Sequence, residues 1–306
     1  MREGGLHFHF YLWLVFLFAL TVASFGLGVK NQSVRCIAPE RQALLDFKIG
    51  VGCDNSIGNV VKLDLDRIFI TGEIGSSLLE LKQLSYLDLS FNHFHKIPNF
   101  IGSLSDLTYL DLSDNFSTGF IPHQFGNLSR LLYLDLSYNY LWGSIPLSFD
   151  NMPALQCINF EGNNLEGGIP KSLGKICNLK ELNLKDNELS ESLLVVVKNL
   201  SGCAKDSLQA LILARNQLTG ALPNLSILSS FQRINLRGNN LEGGTPKSLG
   251  NICNLKELDL TNNKLSGSLG VVVKNLSVCA KNSLQALLLA RNRLTGALHD
   301  LSILFH

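Results

Sequence analysis

Leu131–Ala154, LLYLDLSYNYLWGSIPLSFDNMPA, decides how the rest of the chain is read. Leu131, Leu134 and Leu136 stand in the spacing LxxLxL, whose last residues alternate like a short strand with one buried face, and Asn139 takes the next inward position. Gly143 and Pro146 in LWGSIP interrupt both helix and continuous strand, so the chain turns and returns along the opposite side before Leu155 begins another strand. One such coil cannot bury its own leucines. A stack of coils can.

The first apolar residue of the pattern recurs at Val60, Leu84, Leu107, Leu131, Leu155, Leu179, Leu208, Phe231, Leu255 and Leu284, which makes ten coils. The inward Asn follows at Asn92, Asn115, Asn139, Asn163, Asn187, Asn216, Asn239, Asn263 and Asn292, with Ile68 in its place in the first coil. An amide pointing into the stack can satisfy backbone donors and acceptors that water does not reach. Leucine there would leave them unpaired, at about 1–3 kcal/mol each.

The extended spacing LxxLxLxxNxLxGxIPxxLGxLxx, carried by Leu131–Ala154 and Leu155–Asn178, resembles the plant-type extracellular leucine-rich repeat. The segment Cys36–Phe47, CIAPERQALLDF, is similar to the N-terminal cap of plant receptors of that family. The resemblance implies an α/β solenoid: a right-handed superhelix with a concave parallel β-sheet, a short second sheet from the LxGxIP segments, and 3-10 or short helices on the convex side. It also implies a surface that binds peptides or proteins. The domain reading is a leader over 1–28, a shortened cap over 29–59 and about ten repeats over 60–306, the last incomplete.

With 306 residues at 46% apolar content, the repeat uses nearly the whole chain. A net charge of +1 without a basic block excludes nucleic acid as the expected partner, because phosphate binding needs clustered Lys and Arg. Phe8–Ala23, FHFYLWLVFLFALTVA, follows Arg2 and ends in small residues, as a secretory signal does, with cleavage expected between Ala23 and Gly28. It is shorter than the roughly 20 residues a span needs, and no second apolar run exists, so no membrane span is expected in the processed chain.

Secretion makes disulfides available to the seven cysteines, one of which must be left over. Cys36 and Cys53 flank the cap, but the family's cap continues through a segment missing between Phe47 and Cys53, which leaves their pairing open. Cys177 and Cys203 precede consecutive strands and are placed to face each other on the convex side; Cys253 and Cys279 repeat the arrangement. The repetition is not independent, since Asn159–Leu228 recurs almost verbatim as Asn235–Leu304 at an offset of 76 residues. The two longer coils, opening at Leu179 and Leu255, carry additional residues around Leu193–Cys203 and Leu269–Cys279 that are read as convex helices. Cys157 remains as a free thiol on the concave side.

Sequons stand at Asn31, Asn115, Asn127, Asn199, Asn224 and Asn275. Asn115 belongs to the inward column and is excluded. Asn127, Asn199 and Asn275 fall on the convex return and are the favoured sites, with Asn31 and Asn224 as further candidates.

No acid and base are paired in a pocket-like pattern, and the phosphate-loop, kinase and serine-elbow motifs are missing, so no enzyme and no cofactor are expected. His93 and His95 are spaced as two metal ligands could be, but no third ligand lies nearby in sequence and the reading is two solvated histidines. Function is therefore assigned to the outward positions of the concave strands: Tyr86, Tyr109 and Tyr133 in one column, Asp88, Asp111 and Asp135 beside it, and Arg215, Arg233, Arg237 and Arg291 further along. The resemblance implies the ectodomain of a receptor-like protein in defence or development, with a peptide or protein ligand, a membrane co-receptor, and a place at the outer face of the plasma membrane or in the apoplast. The alternatives are a secreted inhibitor, similar to polygalacturonase-inhibiting proteins, and a truncated product without activity of its own. The stop within RNRLTGALHDLSILFH, where an inhibitor needs a cap with paired cysteines, favours the receptor reading.

Overall fold

The computed structural model describes residues 51–53, 59–276 and 278–296. The leader over 1–28, most of the cap, Cys36, the side chain of Cys53, Asn31 and the last ten residues lie outside them. The strand stretch of every coil forms one member of a continuous sheet, from Val60–Asp64 through Tyr86–Asp88, Tyr109–Asp111 and Tyr133–Asp135 to Ala286–Leu288. Each pairs in parallel with the coil before it, so residues at one place in the repeat stand in rows: Tyr86 opposite Tyr109, Tyr109 opposite Tyr133. One antiparallel strand, Val51–Cys53, pairs with Val60–Asp64 and covers an edge that would otherwise offer free backbone groups.

Inward leucines make the core. Leu131, Leu134 and Leu136 are 0% exposed, and their equivalents are buried through the coil that opens at Leu255; in the last described coil Leu284, Leu287 and Leu289 are half-buried. Packing of this kind stabilises each coil only through its neighbours, because no coil has a core of its own.

The inward amides do what the sequence expects of them. Asn139 Nδ2 donates to the carbonyls of Leu112 (2.9 Å), Ser137 (3.1 Å) and Leu136 (3.2 Å), while its Oδ1 accepts from Ser117 N at 3.0 Å. Four bonds to two coils leave no lone backbone group at the turn. In the first coil Ile68 cannot do this, and the amide above it, Asn92, accepts from Ile70 N at 2.8 Å.

A second column runs just before the amides. Phe91, Asp114, Tyr138, Asp186, Arg215, Asn262 and Arg291 all have φ between 51° and 57°, and Gly162 and Gly238 fill the remaining places with φ 68°. A left-handed non-glycine residue costs about 1–2 kcal/mol. All of these but Arg291, in the last described coil, donate a backbone bond to the next coil, for example Tyr138 N to Glu161 O at 2.7 Å.

On the return side the chain forms short second strands, grouped in two four-stranded pieces and one pair, followed by 3-10 turns such as His123–Asn127 and Leu147–Asn151. The glycine of the LG pair is required where those turns meet: a Cβ on Gly126 would lie 2.5 Å from the Ser148 carbonyl oxygen. The longer coils carry the helices Leu193–Leu200 and Leu269–Leu276. Three consecutive valines are mediocre helix formers; burial of Leu193, Val196, Val197 and Leu200 on one side decides the matter. Disulfides Cys177–Cys203 and Cys253–Cys279 join the segments before consecutive strands, each with Cα atoms 4.8 Å apart, and Cys157 is unpaired.

The favoured glycan sites need correction. Asn275 is 7% exposed, and its Nδ2 donates to the Thr245 carbonyl at 2.6 Å. Asn199 makes the same bond to Ile169 O at 2.7 Å and is half-buried. Both amides are used to tie a helix to the coil below, so a glycan would have to break that tie. Asn127 and Asn224 are exposed, and Asn115 is buried with its amide bonded to three carbonyls.

Candidate ligand-binding face

Three tyrosines in register on adjacent strands are bound to stack. Their rings lie 4.2 Å apart at 5° between Tyr86 and Tyr109, and 4.6 Å apart at 4° between Tyr109 and Tyr133. At the first coil the row ends on a cation, Lys62 Nζ, 4.1 Å from the Tyr86 ring centre and 3.1 Å from Asp64. Every ring is half-buried, leaving an edge towards solvent.

The aspartates beside them behave differently from expectation. Asp88, Asp111 and Asp135 are only 8%, 8% and 6% exposed. Each Oδ1 accepts from the backbone N–H and the hydroxyl of the serine two residues on, Ser90, Ser113 or Ser137, with hydroxyl distances of 2.6 Å. Each Oδ2 accepts from the tyrosine two residues before, at 3.3, 3.2 and 2.9 Å. The carboxylates thus hold the tyrosines and close the strand end; they are supports under the face, and the expectation that they meet a ligand directly is corrected. Burial pushes the Asp111 carboxyl up to about 6, with Asp135 and Asp88 adding to the push against the Ser113 bonds. Burial likewise raises the Tyr109 and Tyr133 phenols above their ordinary range, so both stay protonated and donate.

Coil 5 changes the chemistry. Cys157 continues the tyrosine row in register with Tyr133, and burial pushes its thiol up to about 12, so it is inert at neutral pH. Glu161 collects three donors: Lys185 Nζ at 2.5 Å, Tyr138 OH at 2.6 Å and Asn183 Nδ2 at 2.9 Å. Burial alone would raise it, but those donors outweigh burial and hold its carboxyl below the usual range.

The arginines are not gathered into one site. Arg233 faces Glu257 across the strand register, 3.4 Å between charges, and Arg215 reaches Asp186 at 3.3 Å. Arg237 and Arg291 are exposed, and Arg215 and Arg291 occupy left-handed positions at the rim. Beside the strand starts of the same coils lies a polar cavity of about 280 Å³ lined by Asn178, Lys180, Asp206, Gln209, Gln232 and Asn254.

The family model described as "Leucine-rich repeat region" matches residues 63–211, and "Leucine Rich Repeat" matches 230–252 and 254–276. The chain belongs to the leucine-rich-repeat family. Among curated relatives, Receptor-like protein EIX1 of Solanum lycopersicum is 37% identical over 151 residues, covering 35% of this leucine-rich-repeat chain and 14% of the relative. The match thus spans about one seventh of that relative's length. A plant ice-binding protein superposes with a TM-score of 0.74 at 27% identity, covering 86% of this chain and 89% of the other. The leucine-rich-repeat ectodomain of the Arabidopsis thaliana receptor kinase GASSHO1/SCHENGEN3, crystallised with CASPARIAN STRIP INTEGRITY FACTOR 2, has a TM-score of 0.67 at 33% identity, covering 81% of this chain and 32% of that one.

Among the described residues no group of three or more His, Cys, Asp or Glu could hold a metal, and no helix is long and apolar enough to cross a membrane. His93 and His95 sit among aromatic rings, 5.2 and 6.1 Å from Phe116. That aromatic row, on the second-sheet side of this leucine-rich-repeat stack, escaped the sequence reading. Its signal was the residue after each inward position: Phe69, His93, Phe116, Tyr140, then Asn164 and Glu188.

Proposed function

We propose that the chain is the ligand-recognising part of a plant cell-surface receptor-like protein, binding a peptide or protein on its concave face without chemistry of its own. The observation that carries this is the stack of Tyr86, Tyr109 and Tyr133, pinned from below by buried aspartates. Rings held in one rotamer before binding lose little freedom on contact, which is what recognition surfaces favour. Arg233 and Arg237 on a later coil supply donors for acidic groups of the same ligand. Similarity to a receptor ectodomain crystallised with CASPARIAN STRIP INTEGRITY FACTOR 2 points the same way. The leader over 1–28, two convex disulfides and the exposed sequons at Asn127 and Asn224 suit an extracellular glycoprotein, working beside a membrane co-receptor.

The test is a random-peptide display library panned against the secreted chain. Captured sequences are expected to lose binding at least tenfold with Tyr109→Ala or Arg233→Glu, while Leu132→Ala, outside the row, leaves it intact. Peptides that bind both variants like the parent would remove the concave face from the proposal. Tight binding of a cell-wall-degrading enzyme in place of any peptide would move the reading to the inhibitor.

A further inference from the structure

The position after each inward residue is aromatic in the first four coils and polar afterwards. Phe69, His93, Phe116 and Tyr140 form a row with ring centres 6.0, 5.2 and 6.3 Å apart. Phe120 and Trp142 extend it sideways at 4.0 Å, and Phe91 and Tyr138 stand two residues before row members. None of this is core: Phe69 is 69% exposed, Phe120 62%, Tyr140 53% and Trp142 45%. In coils 5 to 10 the same row reads Asn164, Glu188, Gln217, Asn240, Lys264 and Arg293. The stack does not need aromatic rings there, since six coils do without them.

The area tells what size of occupant fits. An aromatic side chain carries roughly 150–250 Å², so the five Phe, Tyr and Trp side chains Phe69, Phe116, Phe120, Tyr140 and Trp142, at about half exposure, present on the order of 500 Å². The largest apolar patch on a typical monomer is about 300–600 Å², and a standard interface takes about 800 Å² from each partner. We propose that this face pairs with the same face of a second copy of the chain, across a two-fold axis, to form a homodimer. Isologous pairing sets the uncharged rings of coils 1 to 4 against themselves. A head-to-tail contact would instead press them on Glu166, Glu188 and Lys264, all exposed, and strip water from charges with no partner. The charges bordering the rings, Arg67, Lys96 and Asp114, carry both signs, so two copies meet without a single-sign field.

Light scattering of the secreted full chain over a dilution series decides the matter. The expected result is a dimer that dissociates in the micromolar range or below, with Phe116→Ser plus Trp142→Ser raising the dissociation constant at least tenfold. Glu166→Ala in coil 5, outside the rings, should leave it unchanged. Circular dichroism melting shows whether the double variant still folds; if it does not, Tyr140→Ser alone serves, because its ring is half in solvent. A chain that is monomeric at about 100 µM overturns the proposal, as does a dimer insensitive to these variants. A monomer that binds vesicles or another protein through the same rings assigns the face to that occupant and equally overturns it.

Discussion

The segments 159–228 and 235–304 are two copies of one sequence, and they differ mostly where side chains leave the stack. Leu182 and Leu258, Leu184 and Leu260, Asn187 and Asn263 hold the same buried places, and the two disulfides join the same positions. Outside, Glu161 faces Arg237, Lys185 faces Thr261 and Glu188 faces Lys264 in the alignment at 76 residues, so the ion cluster of coil 5 has no counterpart and the surface turns more basic. The lesson is that the solenoid separates two constraints: inward positions fix the coil, and outward positions are free to be rewritten for partners. Inward changes are few: Phe160 becomes Leu236, both 0% exposed, and one other broke the separation. Ile169 is 1% exposed, whereas its counterpart Thr245 is 7% exposed with its hydroxyl buried and unpartnered.

The largest way to break the comparison is a charge in either core. Leu182→Asp and Leu258→Asp should each abolish cooperative melting, since an unpaired buried charge costs several kcal/mol; a variant that melts like the parent would show that its copy is not packed on its neighbours. Next, Asn263→Leu should lose about 3 kcal/mol by chemical denaturation, because the carbonyls of Leu236, Leu260 and Thr261 and the amide of Leu241 lose their partner. Asn187→Leu should lose a similar amount, and a large difference between the two would mean that the copies do not bond alike.

A smaller effect concerns the column where coils 5 and 8 hold Asn159 and Asn235 and coil 3 holds Asp111. Burial raises the folded carboxyl to about 6 from its ordinary 3.8, so the folded chain binds this proton more tightly than the unfolded one. Its contribution to stability is therefore greatest below about pH 4 and falls away as pH rises through about 6. Asp111→Asn should remove that dependence and add about 1–2 kcal/mol at pH 7; melting curves between pH 4 and 7 that keep the parent's slope would contradict it. Smallest, Thr245→Ile restores the side chain of the first copy and should stabilise by about 1 kcal/mol by removing an unpaired hydroxyl. A loss of stability would mean that the hydroxyl has a partner, such as bound water.

Much of this was legible because the repeat averages over ten coils. Leu134 and Asn139 could be assigned from spacing alone, since their equivalents recur at the same place from coil to coil, with Ile68 as the one departure from the Asn column. Cys177 and Cys203 were legible for the same reason: strand starts one coil apart must lie side by side. What failed was reading exposure from alternation. Asp111 occupies an outward position, but a serine two residues later and a tyrosine two before close over it, and no period-two rule carries that. Asn275 failed likewise, as a sequon records a residue pattern and not a bond to the Thr245 carbonyl. The left-handed column before each Asn was hidden by its variety, from Phe91 to Asp114 to Arg215, since backbone bonds to the next coil hold the conformation whatever the side chain.

Disulfides Cys177–Cys203 and Cys253–Cys279 have a mechanical consequence. Pulled from its ends, a solenoid yields one coil at a time, each released as its neighbour is lost. Cys177 and Cys203 bracket one coil, Cys253 and Cys279 another, each bond enclosing a sequence separation of 26 residues. Those coils cannot lengthen until the sulfur bond is reduced. At about 3.3–3.6 Å of extended chain per residue, each bond locks away roughly 90 Å of contour length. Under tension these two bonds act as rip-stops, so that in an oxidising compartment a tear begun at one end is limited in how far it can extend the chain.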